Sequence, residues 1–292
     1  MPRRVNAIRT FPVFAMLVIA LLSPCACAAS SGKRGGRHGP ALPTLPDGTP
    51  VEPSTYRAET TESAEILGGG ILDWELDLVG GSVDRIGALR ASTLEWLQGE
   101  VRRGFGDGFE LSARAESWNQ TVVGQGASAQ NVVESGTGTT TVTLRRRLRA
   151  GGISGPSACA GFHVRIPGAA NGPGPRVVEA GLFVPISFPL GRQSRLAAMV
   201  EGDVIPDALD SGRHVEGISS LELTREIDGR LSARCEAVSV WNGDAGRPWL
   251  GTVNAGVSFD LLSHIGITMG ASAGNSGGVN DLGGFGRLSV HP

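Results

Sequence analysis

Past residue 30 the chain lacks any run of roughly 20 apolar residues, so no segment there can cross a bilayer as a helix. If the mature chain is a membrane protein, it must span as strands. Lysine occurs once, at Lys33, and acidic residues outnumber basic ones by 28 to 26. No basic stripe for phosphate backbones can be built from that supply, which excludes a nucleic-acid binder. Aromatic residues make up 5% of the chain, with one tyrosine and five tryptophans, a thin stock for the girdles of a membrane barrel. Cysteine is scarce too: apart from Cys25 and Cys27 near the start, only Cys159 and Cys235 remain. No stretch shows a convincing apolar period of 3.6, so helix should be rare.

Glycine, by contrast, is abundant at 44 residues, and hydrophobic residues reach 40%. At the N-terminus Arg3, Arg4 and Arg9 precede an apolar run from Phe11 to Leu22, followed by Ala26-Cys27-Ala28. That is the grammar of a cleaved export signal over 1–28. A lipoprotein signal is disfavoured by Pro24 beside Cys25. Removal of the signal takes three arginines and leaves 23 basic against 28 acidic residues. Residues 29–63 then form an expected disordered Pro/Gly-rich tether, carrying Lys33, Arg34 and Arg37 and five spaced prolines from Pro40 to Pro53, because such a composition cannot bury enough apolar surface to fold alone. The remainder, 64–292, is expected to be one folded unit.

Within it, Leu72-Asp73-Trp74-Glu75-Leu76-Asp77-Leu78 alternates apolar and acidic residues with a period of two, the mark of a strand with two unlike faces. Phe109 to Glu116 and Ala158 to Ile166 repeat the pattern. Further strands are predicted near 92–103, 139–149, 177–188, 195–203, 215–225, 230–241, 250–261, 265–273 and 282–290, about twelve in all. Connections alternate between short ones (104–108, 151–156, 189–194, 226–229, 262–264) and longer ones (80–91, 118–138, 167–176, 204–214, 242–249, 274–281). Asp107-Gly108 and Asp228-Gly229 suit tight reversals.

This alternation predicts an all-β fold, a transmembrane up-and-down antiparallel β-barrel of about twelve strands with tight turns on one rim and exposed loops on the other. A soluble sandwich or lipocalin-like barrel would share the periodicity but point its apolar face inward. In a membrane barrel the charged face lines the lumen, and the candidate lumen-lining residues are Asp73, Glu75, Asp77, Arg114, Glu116, Arg165, Glu179, Glu201, Arg234, Glu236 and Arg287. Arg146 has the parity of Leu144 and Leu148, so it should sit near a rim, where an outward arginine costs about 0–1 kcal/mol rather than about 2–4 at mid-bilayer.

Three stretches resemble the outer-membrane transporter family named for the meta-pathway of phenol degradation. They are Leu94-Glu95-Trp96-Leu97 through Gly104-Phe105-Gly106-Asp107-Gly108-Phe109-Glu110-Leu111, His163-Val164-Arg165-Ile166-Pro167-Gly168, and Asp228-Gly229-Arg230-Leu231 through Cys235-Glu236. The resemblance implies passive uptake of small hydrophobic or aromatic compounds across the outer membrane of a Gram-negative cell. Outer-membrane lipid and the barrel-assembly machinery are then the implied partners. The terminal Leu288-Ser289-Val290-His291-Pro292 departs from the aromatic ending such barrels present to that machinery.

Enzymatic motifs are weak. Gly270-Ala271-Ser272-Ala273-Gly274 and Gly274-Asn275-Ser276-Gly277-Gly278 match hydrolase and protease patterns, but no strand-to-helix elbow or oriented histidine accompanies them, and a Gly/Ser-rich loop tip is expected. His163 has no second histidine or cysteine at ligand spacing, so no metal site or cofactor is predicted. Strand parity points Cys159 inward and Cys235 outward, so two free thiols are expected. The expected function is an outer-membrane channel or facilitator for small molecules. The alternatives are a non-conducting structural or adhesive barrel and a soluble periplasmic β-protein.

Overall fold

Alternation becomes geometry in the first strand: Asp73 is 4% exposed while its neighbour Leu72 is 43% exposed. The computed structural model describes residues 60–86, 89–124, 132–151, 155–168, 177–207, 212–242, 249–262, 265–276 and 279–290. The strands are β1 (Leu72–Ile86), β2 (Leu89–Phe105), β3 (Phe109–Gly124), β4 (Val132–Gly136), β5 (Thr140–Arg149), β6 (Ser157–Ile166), β7 (Glu179–Pro189), β8 (Ser194–Pro206), β9 (Arg213–Glu226), β10 (Leu231–Asn242), β11 (Leu250–Leu262), β12 (Ile265–Ser276) and β13 (Val279–Val290). Apart from β4 and β5, consecutive strands pair antiparallel, and β1 pairs with β13 through Leu76 and Leu288, which closes the sheet on itself. Short β4 and β5 both lie against β3, as one strand interrupted at Thr137–Thr139, so the barrel has twelve staves. Closure pairs the long strands on both sides, with only the short β4 held on one side among the described residues, and such closure is the condition for spanning lipid with strands.

The interruption between β4 and β5 centres on one residue. Glu116 of β3 faces two residues there: its carbonyl accepts from the Gly138 N–H (3.1 Å), its N–H donates to the Thr139 carbonyl (3.0 Å), and its carboxylate accepts from the Thr139 N–H (3.1 Å) and Asn119 Nδ2 (2.9 Å).

Apolar side chains face outward. Leu182, Val253, Leu221, Leu144 and Phe162 are all more than 40% exposed, and Trp96 stands beside its cross-strand partner Trp118. Arg146 is exposed, pairs opposite Phe109 next to the Gly106–Gly108 turn, and stacks over the Phe109 ring at 5.4 Å. It therefore lies at the short-turn rim.

Several connections differ from expectation. β1 runs to Ile86 and β2 starts at Leu89, and β12 ends at Ser276 with β13 starting at Val279. The expected loops 80–91 and 274–281 are thus mostly strand, and the Gly270–Ser276 stretch of the two serine motifs lies in β12 rather than in a loop or an elbow. For β1 the reason is a bulge. The pairing of β1 with β13 skips Leu78, and Leu97 on β2 takes a left-handed φ of 51°. One extra residue reverses the side-chain parity, so Leu78 with Val79 and Trp96 with Leu97 are exposed as adjacent pairs.

At the tight turns, Gly108 adopts φ 77°. The 227–230 reversal is held instead by the Asp228 carboxylate, which accepts from the Arg230 and Leu231 N–H groups at 2.8 Å each.

Candidate functional site: the barrel interior

The eleven candidate charges lie on the side of the sheet opposite the exposed aliphatics. Asp73, Glu179 and Glu236 are buried, and Glu75, Asp77, Arg114, Glu116, Arg165, Glu201, Arg234 and Arg287 are half-buried. On β1, β3 and β13, Arg287 meets Glu75 (3.1 Å) and Asp77, and Arg114 reaches Asp77 at 3.0 Å. On β6 to β8, Arg165 lies 3.6 Å from Glu179, 3.6 Å from Glu201 and 3.1 Å from Asp203. Arg234 stacks over Phe285 at 5.6 Å. Charges taken out of bulk water need such partners.

Several members of this interior went unread in the sequence. Glu110, 0% exposed, bonds Arg102 (3.0 Å) and faces Arg145 (3.4 Å). Its parity with Ser112 and Arg114 carried the signal. Arg145 was hidden in the run Arg145-Arg146-Arg147, where three like residues mask the alternation. Asp203 stood at the expected end of its strand, although β8 continues to Pro206.

The largest addition is a segment that enters the bore. Thr60 and Thr61 donate their backbone N–H groups to the Glu236 carboxylate, and Thr61 Oγ1 lies 2.7 Å from Ser220 Oγ. Glu62 pairs with Arg145, the Ser63 carbonyl faces Cys159 Sγ at 3.9 Å, and Ala64 is 1% exposed. Arg147 donates to the Ile66 carbonyl (2.9 Å), and the Leu67 N–H donates to Glu110 (2.9 Å). Glu236 sits on β10 and Glu110 on β3, six staves apart in a barrel of twelve, so Thr60–Leu67 crosses the bore from one wall to the opposite one. The last four residues of the expected tether, 60–63, are therefore held in the barrel, while the rest of it and the expected signal lie outside the described residues. Between this segment and the short-turn rim is a vestibule of about 980 Å³, lined by Glu65, Arg147, Arg149, Arg195, Arg230 and others.

Cys159 is buried and Cys235 exposed, and both are free thiols. Unfolded without reductant, the protein lacking residues 1–28 should take two alkyl labels by mass spectrometry. Folded in micelles, it should keep Cys159 unlabelled and take a label at Cys235 from an apolar maleimide far faster than from a charged one. A species taking no label when unfolded would mean a disulfide.

Neither a protein-family model nor a curated relative matches the sequence. Among solved structures, the COG4313 outer membrane channel from Pseudomonas putida F1 superposes with a TM-score of 0.60 at 14% identity, over 82% of this chain and 99% of that one. The transport unit of the autotransporter AIDA-I from Escherichia coli gives 0.53 at 10% identity (76% and 90%), and the NanC porin 0.51 at 12% (74% and 100%). At such identities the likeness is one of architecture, and the fold of this chain is that of the outer-membrane β-barrels.

Proposed function

We propose that this protein is an outer-membrane channel for passive entry of small molecules, aromatic ones included, with the eleven charged positions lining its path and Thr60–Leu67 as its internal stopper. The observation that carries the reading is the inverted distribution of polarity: aliphatics outside, ion pairs and a polar segment inside. A soluble barrel of this size would pack its interior with apolar side chains. Among the described residues the buried apolar side chains include a cluster of Ile218, Val238 and Val240, and they share the interior with about twice as many buried polar and charged ones. A bore filled by a separate polar strand of chain, instead of interlocked core residues, is one that can be emptied. The likeness in fold to the COG4313 outer membrane channel, at a TM-score of 0.60, supports the same direction.

The test is flux. Purified protein in liposomes should raise permeability to small aromatic solutes over empty vesicles, and the protein should stay with outer-membrane fractions through carbonate extraction. Absence of flux would favour a non-conducting structural or adhesive barrel, the reading that the cross-bore ion pairs support. Release by carbonate would favour a soluble periplasmic protein.

A further inference from the structure

His163, Gly181 and Asp203 stand in one cross-strand row on β6, β7 and β8, His163 paired with Gly181 and Gly181 with Asp203. Because Gly181 has no side chain, the imidazole reaches across it. A Cβ at that position would lie 1.8 Å from Asp203 Oδ1 and 2.8 Å from His163 Nε2. The notch is thus bounded by a nitrogen and an oxygen 3.4 Å apart. Metal–ligand bonds of about 2.0–2.2 Å in a tetrahedral site separate neighbouring donor atoms by about 3.3–3.5 Å, so these two atoms already stand at the spacing of co-ligands. Glu201 approaches the other ring nitrogen, with Oε1 3.8 Å from Nδ1. One donor atom from each of the three side chains falls within 4.8 Å of the others.

A second observation is independent of this spacing. His163 is 5% exposed and Asp203 0%, and while Asp203 Oδ2 has the Arg165 guanidinium 3.1 Å away, neither His163 Nε2 nor Asp203 Oδ1 completes a hydrogen bond among the described residues. Buried polar atoms left in that state call for an occupant. Charge points the same way: Glu179, Glu201 and Asp203 face the single guanidinium of Arg165. Three carboxyl groups against one guanidinium leave the notch well supplied with oxygen donors for a cation.

We infer that His163, Asp203 and Glu201 form a binding site for a divalent transition-metal cation of the Zn²⁺, Ni²⁺ or Cu²⁺ type, seated in the notch over Gly181. An imidazole with carboxylates suits these ions, whereas Mg²⁺ and Ca²⁺ take oxygen sets. Arg165 holds Asp203 Oδ2 and leaves Oδ1 to the ion. Glu201 either completes the ligand set or fixes the imidazole from its other nitrogen, as outer carboxylates do for metal-bound histidines.

The experiment uses the full-length, untagged protein in detergent micelles, with each variant checked for heat-modifiable gel mobility. Zn²⁺ titration by calorimetry should show one tight equivalent, and Cu²⁺ should give an electron paramagnetic resonance spectrum with coupling to imidazole nitrogen. H163A should abolish both signals, with H163Q as the volume-conserving substitute, and E201Q should weaken affinity by about 10–100-fold. H214A, which alters a histidine paired elsewhere with Asp207, should bind as the parent does. No stoichiometric Zn²⁺ binding by the parent protein, or unchanged binding in the folded His163 variants, would overturn the site. Because these readouts are equilibrium binding and spectroscopy, they stand whether or not the barrel conducts.

Discussion

Deleting Thr60–Leu67 should raise single-channel conductance in planar bilayers several-fold over the intact protein. The segment spans opposite walls through contacts with Ser220, Glu236, Arg145, Arg147 and Glu110, and the barrel is built without it. β1 starts at Leu72, and its approach to the wall is made by Gly70 N–H donating to the Gly104 carbonyl (2.9 Å) and Gly104 N–H donating to the Ile71 carbonyl (3.0 Å), both outside the deletion. A complementary variant tests the same idea without shortening the chain. With Cys159 and Cys235 replaced by serine, a Thr61→Cys, Ser220→Cys pair should cross-link, since the native hydroxyl oxygens stand 2.7 Å apart and a disulfide needs its two sulfurs about 2.0 Å apart. The oxidised form should conduct least, and reduction should restore the uncross-linked level. Equal conductance in the deletion, the cross-linked form and the parent would mean that solute path and segment do not coincide.

The second large effect is on stability. Glu110→Ala should destabilise the folded barrel by about 3–5 kcal/mol, measured by urea titration in lipid vesicles, because it leaves buried cations without their counter-charge. Glu110 is fully enclosed and binds Arg102 on one side, faces Arg145 on the other, and accepts the Leu67 N–H. Glu65→Ala is the contrast: its ion pair with Arg195 spans 3.7 Å between exposed side chains, and such pairs are worth about 0–1 kcal/mol. A Glu110 variant no weaker than the Glu65 variant would show that the interior arginines are compensated by water.

These two predictions draw on parts of the molecule that differed in how plainly the chain announced them. The staves were legible because lipid on one side and polar interior on the other impose a period of two, visible at Leu72–Leu78 and Phe109–Glu116. Twelve staves follow from it. Legibility failed where a bulge reverses parity, as at Leu78 and Leu97, and where like charges adjoin, as at Arg145-Arg146-Arg147. Parity gives a charge its face but not its partner. That Glu110 would meet Arg145 depends on the register of β3 against β5, and that His163 would face Asp203 depends on a glycine in the strand between. The bore-crossing segment gave least warning. Thr60 to Ser63 has the polarity of a tether, and what places it is a set of carboxylates and arginines that only the closed barrel brings together.

The link from Leu67 to the first strand is only Gly68-Gly69-Gly70 plus Ile71, and this sets the kinetics of any opening. A released segment remains leashed beside its own seat at an effective concentration of about millimolar or higher. Reinsertion therefore competes continuously with escape, and recordings of the intact protein should consist of brief flickers rather than long-lived open states. A free peptide of the same sequence could compete for the vacated seat only when supplied at comparable concentration.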